Sequence, residues 1–292
     1  EMGISDFGEM ARLTKIAKPD TCVITNIGTC HLENLGDRDG VLKAKTEIFQ
    51  SMKPNGHIVL NGDDDKLITV REYNGVKPVF FGLNSERDVY ADQIESKGLK
   101  GVACRIHLGE DAFDVLVPTP GIHMVYNALA AAAVGRIYGL TIEEIRRGIE
   151  SLETIRGRFK MIETDKFLVV DDCYNANPMS MKASLDVLHD GEGRRVAILG
   201  DMGELGEDEA ALHEGVGIHA AICGIDACVC VGDLAVHIAE AARKANPDFP
   251  VYYEKTRESL LEHLNDYVQN TILVKASHFM KFEEVVKALE EM

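Results

Sequence analysis

Side chains able to do chemistry concentrate in three stretches: Asn26-Ile-Gly-Thr-Cys-His31-Leu-Glu33, Asp171-Asp172-Cys-Tyr174-Asn175-Ala-Asn177-Pro178 and Gly200-Asp201-Met-Gly-Glu204. Each follows a short β-branched run, and open parallel sheets bind ligands beyond the carboxyl ends of their strands. Acids, amides and an imidazole at such an edge suit a metal and phosphate site. The plainer alternative is that Asp and Asn form turns there, and for Gly200-Asp201 the two readings balance.

Lys45 is the most informative single residue. At about 100° per residue, Val41, Leu42, Ile48, Phe49 and Met52 form one apolar stripe of a helix. Lys45 falls in the middle of it, while Lys43 and Glu47 lie opposite. An inward lysine either snorkels its ammonium to water or loses its charge, because an unpaired buried ammonium is too costly to keep. Carbon dioxide would convert the neutral amine into an anionic carbamate, an oxygen ligand acceptable to Mg²⁺. The wheel alone favours snorkelling.

His31 suits a metal ligand, or else a hydrogen-bonded loop residue. Glu1 would add a carboxylate if a strand ending at the same edge precedes it. Asn127 is expected in the first turn of an Ala-rich helix opening at His123, where an amide reaches a base or phosphate or simply faces solvent. Arg156-Gly-Arg158 offers guanidinium groups for phosphate, or solvated hinge charges. The seven cysteines are an odd number scattered through apolar runs, which reads as reduced core thiols rather than a disulfide framework.

The elements that must position these groups alternate strand and helix, the pattern of parallel sheets covered by helices. Strands are predicted at 21–26 and 57–61 with a helix at 39–52 between them. Several short runs follow from 78 to 117, resembling an antiparallel patch. Helices follow at 126–137 and from Thr141, where Thr141 and Glu144 form a capping box. A second series begins with strand 167–170 and continues through helix 179–188, strand 195–199, helix 207–222, strand 227–231, helix 234–244, strand 251–253, helix 257–267, strand 271–274 and helix 282–289. The break between the series falls near 153–158.

Composition excludes several function classes. The 292 residues carry 31 basic and 48 acidic side chains, a net charge of −17. So acidic a surface disfavours non-specific binding to nucleic acid or anionic lipid. No apolar run reaches the roughly 18 residues a membrane span needs, and no signal peptide is visible, so a cytoplasmic location is expected. No G-x-x-x-x-G-K-[ST] phosphate cradle occurs. The opening at Glu1 without an initiator Met reads as a chain that begins partway through a larger protein.

Taken together, the motifs resemble those of the Mur ligases. They are Glu1-Met-Gly3, Thr25-Asn-Ile-Gly28 with His31-Leu-Glu33, Lys43-Ala-Lys45, Leu60-Asn61 with Asp63-Asp64, His123 with Asn127-Ala-Leu-Ala-Ala131, Gly157-Arg158, Asp171-Asp172 with Tyr174-Asn-Ala-Asn-Pro178, and Leu199-Gly-Asp-Met202. The resemblance is strongest to the branch that adds D-alanyl-D-alanine to UDP-N-acetylmuramoyl-tripeptide in peptidoglycan synthesis. It implies an α/β protein: residues 1–154 as the remainder of a central ATPase domain with a small antiparallel patch, and 155–292 as a doubly wound Rossmann-like ligase domain. The implied reaction is ATP-dependent amide ligation through an acyl phosphate, by a monomer that lacks the N-terminal domain and P-loop and is inactive alone. By motif position, Glu1, His31 and carbamylated Lys45 would hold Mg²⁺. Asn127, Arg158 and Asp172 would contact ATP, and Tyr174, Asn175 and Asn177 would bind substrate along a cleft between the domains. Two departures bear on this: Met124 stands at a usual Asn, and Lys275-Ala-Ser-His278 stands where Lys-Gly-Ser-Arg is usual. The competing readings are a non-catalytic module on the same scaffold, and a Mur-like ligase for another acid.

Overall fold

Short β-branched runs bounded by turn residues make the strands, and the longer apolar-periodic runs between them make the helices. The computed structural model describes residues 1–29 and 32–292. It divides into two units, Glu1–Leu152 and Glu153–Met292.

The first unit contains α1 (Glu9–Ala17), β1 (Thr21–Ile24), α2 (Leu32–Leu35), α3 (Arg38–Thr46), β2 (His57–Asn61), β3 (Val79–Gly82), β4 (Val89–Ser96), β5 (Val102–Leu108), β6 (Asp111–Val117), α4 (Ile122–Ile137) and α5 (Ile142–Glu150). Its six strands form one sheet in sequence order. Pairing is parallel from β1 to β4 and antiparallel from β4 to β6. The expected antiparallel patch is present as β4 to β6 and continues the parallel sheet. Strict alternation of buried and half-exposed residues in β5 leaves one face for the core. Val125, Leu129, Ala132 and Ala133 of α4 join that core.

Two helix expectations are corrected. The helix expected over 39–52 ends at Thr46 and tightens into a 3-10 turn, Glu47–Ser51. Thr46 Oγ1 donates back to the carbonyls of Leu42 and Lys43, at 2.8 and 3.1 Å, a contact that competes with the helical ladder. The Ala-rich helix begins at Ile122, so Asn127 lies in its second turn, beyond the unpaired N–H groups of the first. The Thr141/Glu144 capping box is present at the start of α5.

The second unit contains β7 (Lys160–Glu163), β8 (Leu168–Asp171), α6 (Pro178–His189), β9 (Arg195–Gly200), α7 (Glu209–Ile222), β10 (Ala227–Val231), α8 (Ala235–Ala245), β11 (Val251–Glu254), α9 (Arg257–Tyr267), β12 (Thr271–Lys275) and α10 (Glu283–Glu290). The strand order is β11-β10-β9-β12-β8-β7, all parallel except β7 against β8. Val169, Val196, Ile198, Val229, Ile272 and Val274 share one core with Leu260 and Leu264 of α9 and Val285, Val286 and Leu289 of α10. Since side chains alternate across a strand, Val170, Ala197, Cys228, Leu273 and Lys275 face the other side. α6 packs there against β9 and β12, and α7 packs between α6 and α8. The unit is therefore doubly wound.

The six described cysteines are free, and all but Cys223 are fully buried. No helix among the described residues is long and apolar enough to cross a membrane.

Candidate functional site

In the second unit, β8 leads into α6 on one face of the sheet, whereas its neighbour β12 leads into α10 on the other. Adjacent strands whose connections diverge open a crevice at their carboxyl ends, where doubly wound sheets bind ligands. The segments at this edge are Asp171–Asn177 after β8 and Lys275–His278 after β12.

Asp171 is buried, and its Oδ2 accepts the Gly157 N–H at 2.8 Å. Tyr174 N–H returns a bond to the Gly157 carbonyl at 3.0 Å. Gly157 has φ +75°, and a Cβ there would meet the Tyr174 Cβ at 3.0 Å, so glycine is required. This close approach carries Arg158 over Tyr174, its guanidinium carbon 4.0 Å from the ring centroid. The His278 ring lies 5.7 Å from the same ring, tilted 37°. Tyr174 nevertheless remains 49% exposed. Just after the two acids, burial and then the Asp171 carboxylate push the Cys173 thiol up, which keeps it protonated and unreactive.

Asp172 Oδ2 accepts from Lys275 Nζ at 2.6 Å and from Ser184 Oγ of α6 at 2.7 Å. Lys275 is 2% exposed and also donates to the carbonyls of Asn175, at 3.1 Å, and Asp172, at 3.5 Å. Asn175 is exposed, and its Oδ1 accepts the Ala176 N–H. Asn177 caps α6: its Oδ1 accepts the Ser180 N–H while Ser180 Oγ accepts the Asn177 N–H, with Pro178 at the first helical position. Arg158, Asp172, Tyr174, Asn175 and Asn177 thus share one edge of this unit.

The loop after β9 is structural. Asp201 accepts the N–H groups of Leu234 and Ala235 at the start of α8, and burial raises its carboxyl. The fully buried His213 accepts the Met202 N–H at Nε2 (2.9 Å) and bonds the Glu209 carbonyl through Nδ1 (2.7 Å). Nδ1 is therefore the protonated nitrogen, and burial lowers the imidazole pKa.

In the first unit, the segment after β1 is fastened by Asn61 Nδ2 to the Thr25 carbonyl (3.0 Å), the Ile27 N–H to Asp64 Oδ2 (2.8 Å) and Arg38 Nε to the Ile27 carbonyl (2.9 Å). Lys45 is half-buried, and its Nζ donates to the Asn26 carbonyl at 2.9 Å, at the carboxyl end of β1. Glu47, expected on the solvated side, instead accepts the N–H groups of Gly8 and Ala11 at the start of α1. Glu1 is exposed, and His31 lies outside the described residues. Among the described residues, no three His, Cys, Asp or Glu side chains gather as metal ligands. An ammonium that donates to a carbonyl cannot ligate a cation.

Asn127 is exposed, with its Nδ2 3.5 Å from Met124 Sδ. The first turns of α4 are fixed by Asp63, which accepts from the Leu83 N–H, Arg87 Nε and the Tyr126 hydroxyl at 2.5, 3.0 and 3.2 Å. Burial and the facing Asp63 push the Tyr126 phenol up to about 12. Sequence reasoning assigned no role to Asp63 or Lys275. The available signals were an Asn-x-Asp-Asp run closing β2 and a lysine ending an otherwise apolar strand.

Residues 1–135 match the Mur ligase middle domain, and residues 157–278 match the Mur ligase, glutamate ligase domain. The UDP-N-acetylmuramoyl-tripeptide--D-alanyl-D-alanine ligase of Bacillus subtilis is 35% identical over 296 residues, covering 100% of this chain and 64% of that protein. A crystal structure of MurF from Acinetobacter baumannii superposes with a TM-score of 0.90 at 32% identity, over 100% of this chain and 64% of that one. A MurF ligase from Thermotoga maritima in complex with ADP superposes with a TM-score of 0.84 at 27% identity, over 98% and 65%. The chain therefore spans somewhat under two thirds of the length of these relatives. It belongs to the Mur ligase family, of which it carries the middle domain followed by the glutamate ligase domain.

Proposed function

We propose that this chain supplies two domains of an ATP-dependent amide ligase that joins D-alanyl-D-alanine to UDP-N-acetylmuramoyl-tripeptide. The observation that carries the reading is the 35% identity to a ligase of that name, sustained over the whole of this chain and through both units. The ADP in the Thermotoga relative supports a nucleotide as co-substrate. In the reaction, a carboxylate oxygen of the muramoyl peptide attacks the γ-phosphorus of ATP and ADP leaves. The dipeptide amine then attacks the acyl phosphate carbon, loses a proton and expels inorganic phosphate.

Each unit offers part of what this chemistry needs. Arg158, exposed above Tyr174, presents a guanidinium fork suited to phosphate oxygens. Asp172 keeps Oδ1 outside its contacts with Lys275 and Ser184, as an acceptor for a nucleotide hydroxyl. Asn127 would meet the nucleotide from the exposed side of α4. Tyr174, Asn175 and Asn177 would line the substrate path, although the amide oxygen of Asn177 is already committed to the α6 cap. Magnesium would require Glu1, His31 and a carbamate on Lys45, which would turn a donor into an anionic oxygen ligand. The activity belongs in the cytoplasm, where ATP is available.

The test is turnover by the longest polypeptide the gene encodes. ADP, phosphate and the UDP-muramoyl-pentapeptide should appear only when ATP, UDP-muramoyl-tripeptide and D-alanyl-D-alanine are all present. Turnover of a different acid or amine in their place, or no ligation at all, would overturn the reading.

A further inference from the structure

We infer that Lys275 is a positioning residue, which holds the Asp171–Asn177 turn in a preformed shape by gathering three oxygens of that turn around one buried ammonium. The inference rests on the nucleotide reading of Asp172 and goes beyond it. An ammonium has three N–H donors and no acceptor. The three acceptors of Lys275 are Asp172 Oδ2 at 2.6 Å, the Asn175 carbonyl at 3.1 Å and the Asp172 carbonyl at 3.5 Å. Every donor direction is occupied, so Lys275 has none left for a phosphate. With 2% of its surface exposed, it also cannot reach solvent. Its action on a ligand must therefore pass through Asp172 and the turn.

The placement is specific. Lys275 ends β12 on the α6 side of the sheet, in register with Leu199 of β9, and β12 also pairs with β8. Ser184 Oγ of α6 lies 2.7 Å from Asp172 Oδ2 and 2.8 Å from the Ser180 carbonyl, so its single proton is shared between these two acceptors. The same oxygen of Asp172 is thus held from both sides, which leaves Oδ1 with a fixed direction. The Asn175 carbonyl is drawn inward, so the Tyr174 side chain points outward beneath Arg158. A buried cation is tolerated only when its partners are complete, and here the turn supplies all of them.

The test compares the wild type with Lys275→Met and Lys275→Arg in the longest polypeptide the gene encodes. Two readouts are taken: amide hydrogen exchange of the 172–177 segment and affinity for ADP. Loss of the ammonium should speed exchange in 172–177 at least ten-fold while β10 (Ala227–Val231) keeps its protection, and should weaken ADP binding at least ten-fold. Lys275→Arg keeps the charge but not the compact three-point geometry, so it should show both effects in reduced form. It also serves as the test if Lys275→Met fails to fold. Unchanged exchange in 172–177 in a folded variant would overturn the inference, as would a loss of protection spread evenly over the unit. If the wild type binds no ADP, the nucleotide reading fails by itself, and the exchange data still decide the role of Lys275.

Discussion

At the scale of single residues, the informative side chains are buried polar groups whose partners are complete. His213 is one. Its fold-depressed pKa means that the unfolded chain takes up a proton, near the ordinary value of 6.5, before the folded protein does. Stability should therefore be constant above that pH and fall as the pH is lowered through it. Protonation would also place an N–H at Nε2 against the Met202 N–H. Asp201, raised by burial, acts nearer the carboxylate range and with the opposite sign. Urea unfolding at pH 7.5 and 5.5 should show a steeper loss for the wild type than for His213→Gln. That variant should also cost about 1–3 kcal/mol at neutral pH, from the lost bonds. Lys45 is a different case: it is half-buried, with its Nζ at the Asn26 carbonyl at the sheet edge, and fills no part of the apolar core. Lys45→Ala should abolish most ligation while moving the unfolding midpoint by less than about 1 kcal/mol equivalent. Intact mass spectrometry of the wild type should detect a reversible gain of one carbon dioxide that the variant lacks.

At the scale of elements, the second unit depends on helices that approach their neighbours closely. Gly217 of α7 faces α8, and a Cβ there would lie 2.1 Å from the Ile238 carbonyl oxygen. Helix propensity alone favours alanine over glycine by about 1 kcal/mol. Here the backbone collision outweighs that preference, because neither helix can yield without disturbing the sheet it covers. Gly217→Ala should thus destabilise the protein by about 1–3 kcal/mol, measured by urea unfolding. A stabilised variant would show that α7 and α8 shift freely. The same logic explains α1, which has no side-chain cap of its own. Glu47, 36 to 39 residues along the chain, receives its N–H groups instead.

At the scale of the molecule, two units of similar design carry different work. The first ends its parallel strands in a segment tied down by Asn61, Asp64, Arg38 and Lys45. The second presents its exposed Arg158 and Tyr174 at a switch point. The net charge of −17 surrounds both. That field repels polyanions, so the protein should pass unretained through a phosphocellulose column at low salt; retention would point to a basic patch strong enough to override the net charge.

The sequence by itself determined the alternating order of strands and helices, because hydrophobic periodicity is a local property of the chain. Ala227–Val231 and Arg257–Tyr267 have the predicted bounds. The edge strand β7 went unread because its half-exposed residues carry no clear alternation. The motif after β8 also stood out in the sequence, and the structure gathers its residues at one sheet edge. Tertiary structure alone decided which of those side chains are committed to the fold. The Lys275–Asp172 pair closes over 103 residues, and Asp63 meets Tyr126 across 63. Partners so far apart in sequence are chosen by strand order and helix packing, and no local pattern encodes them.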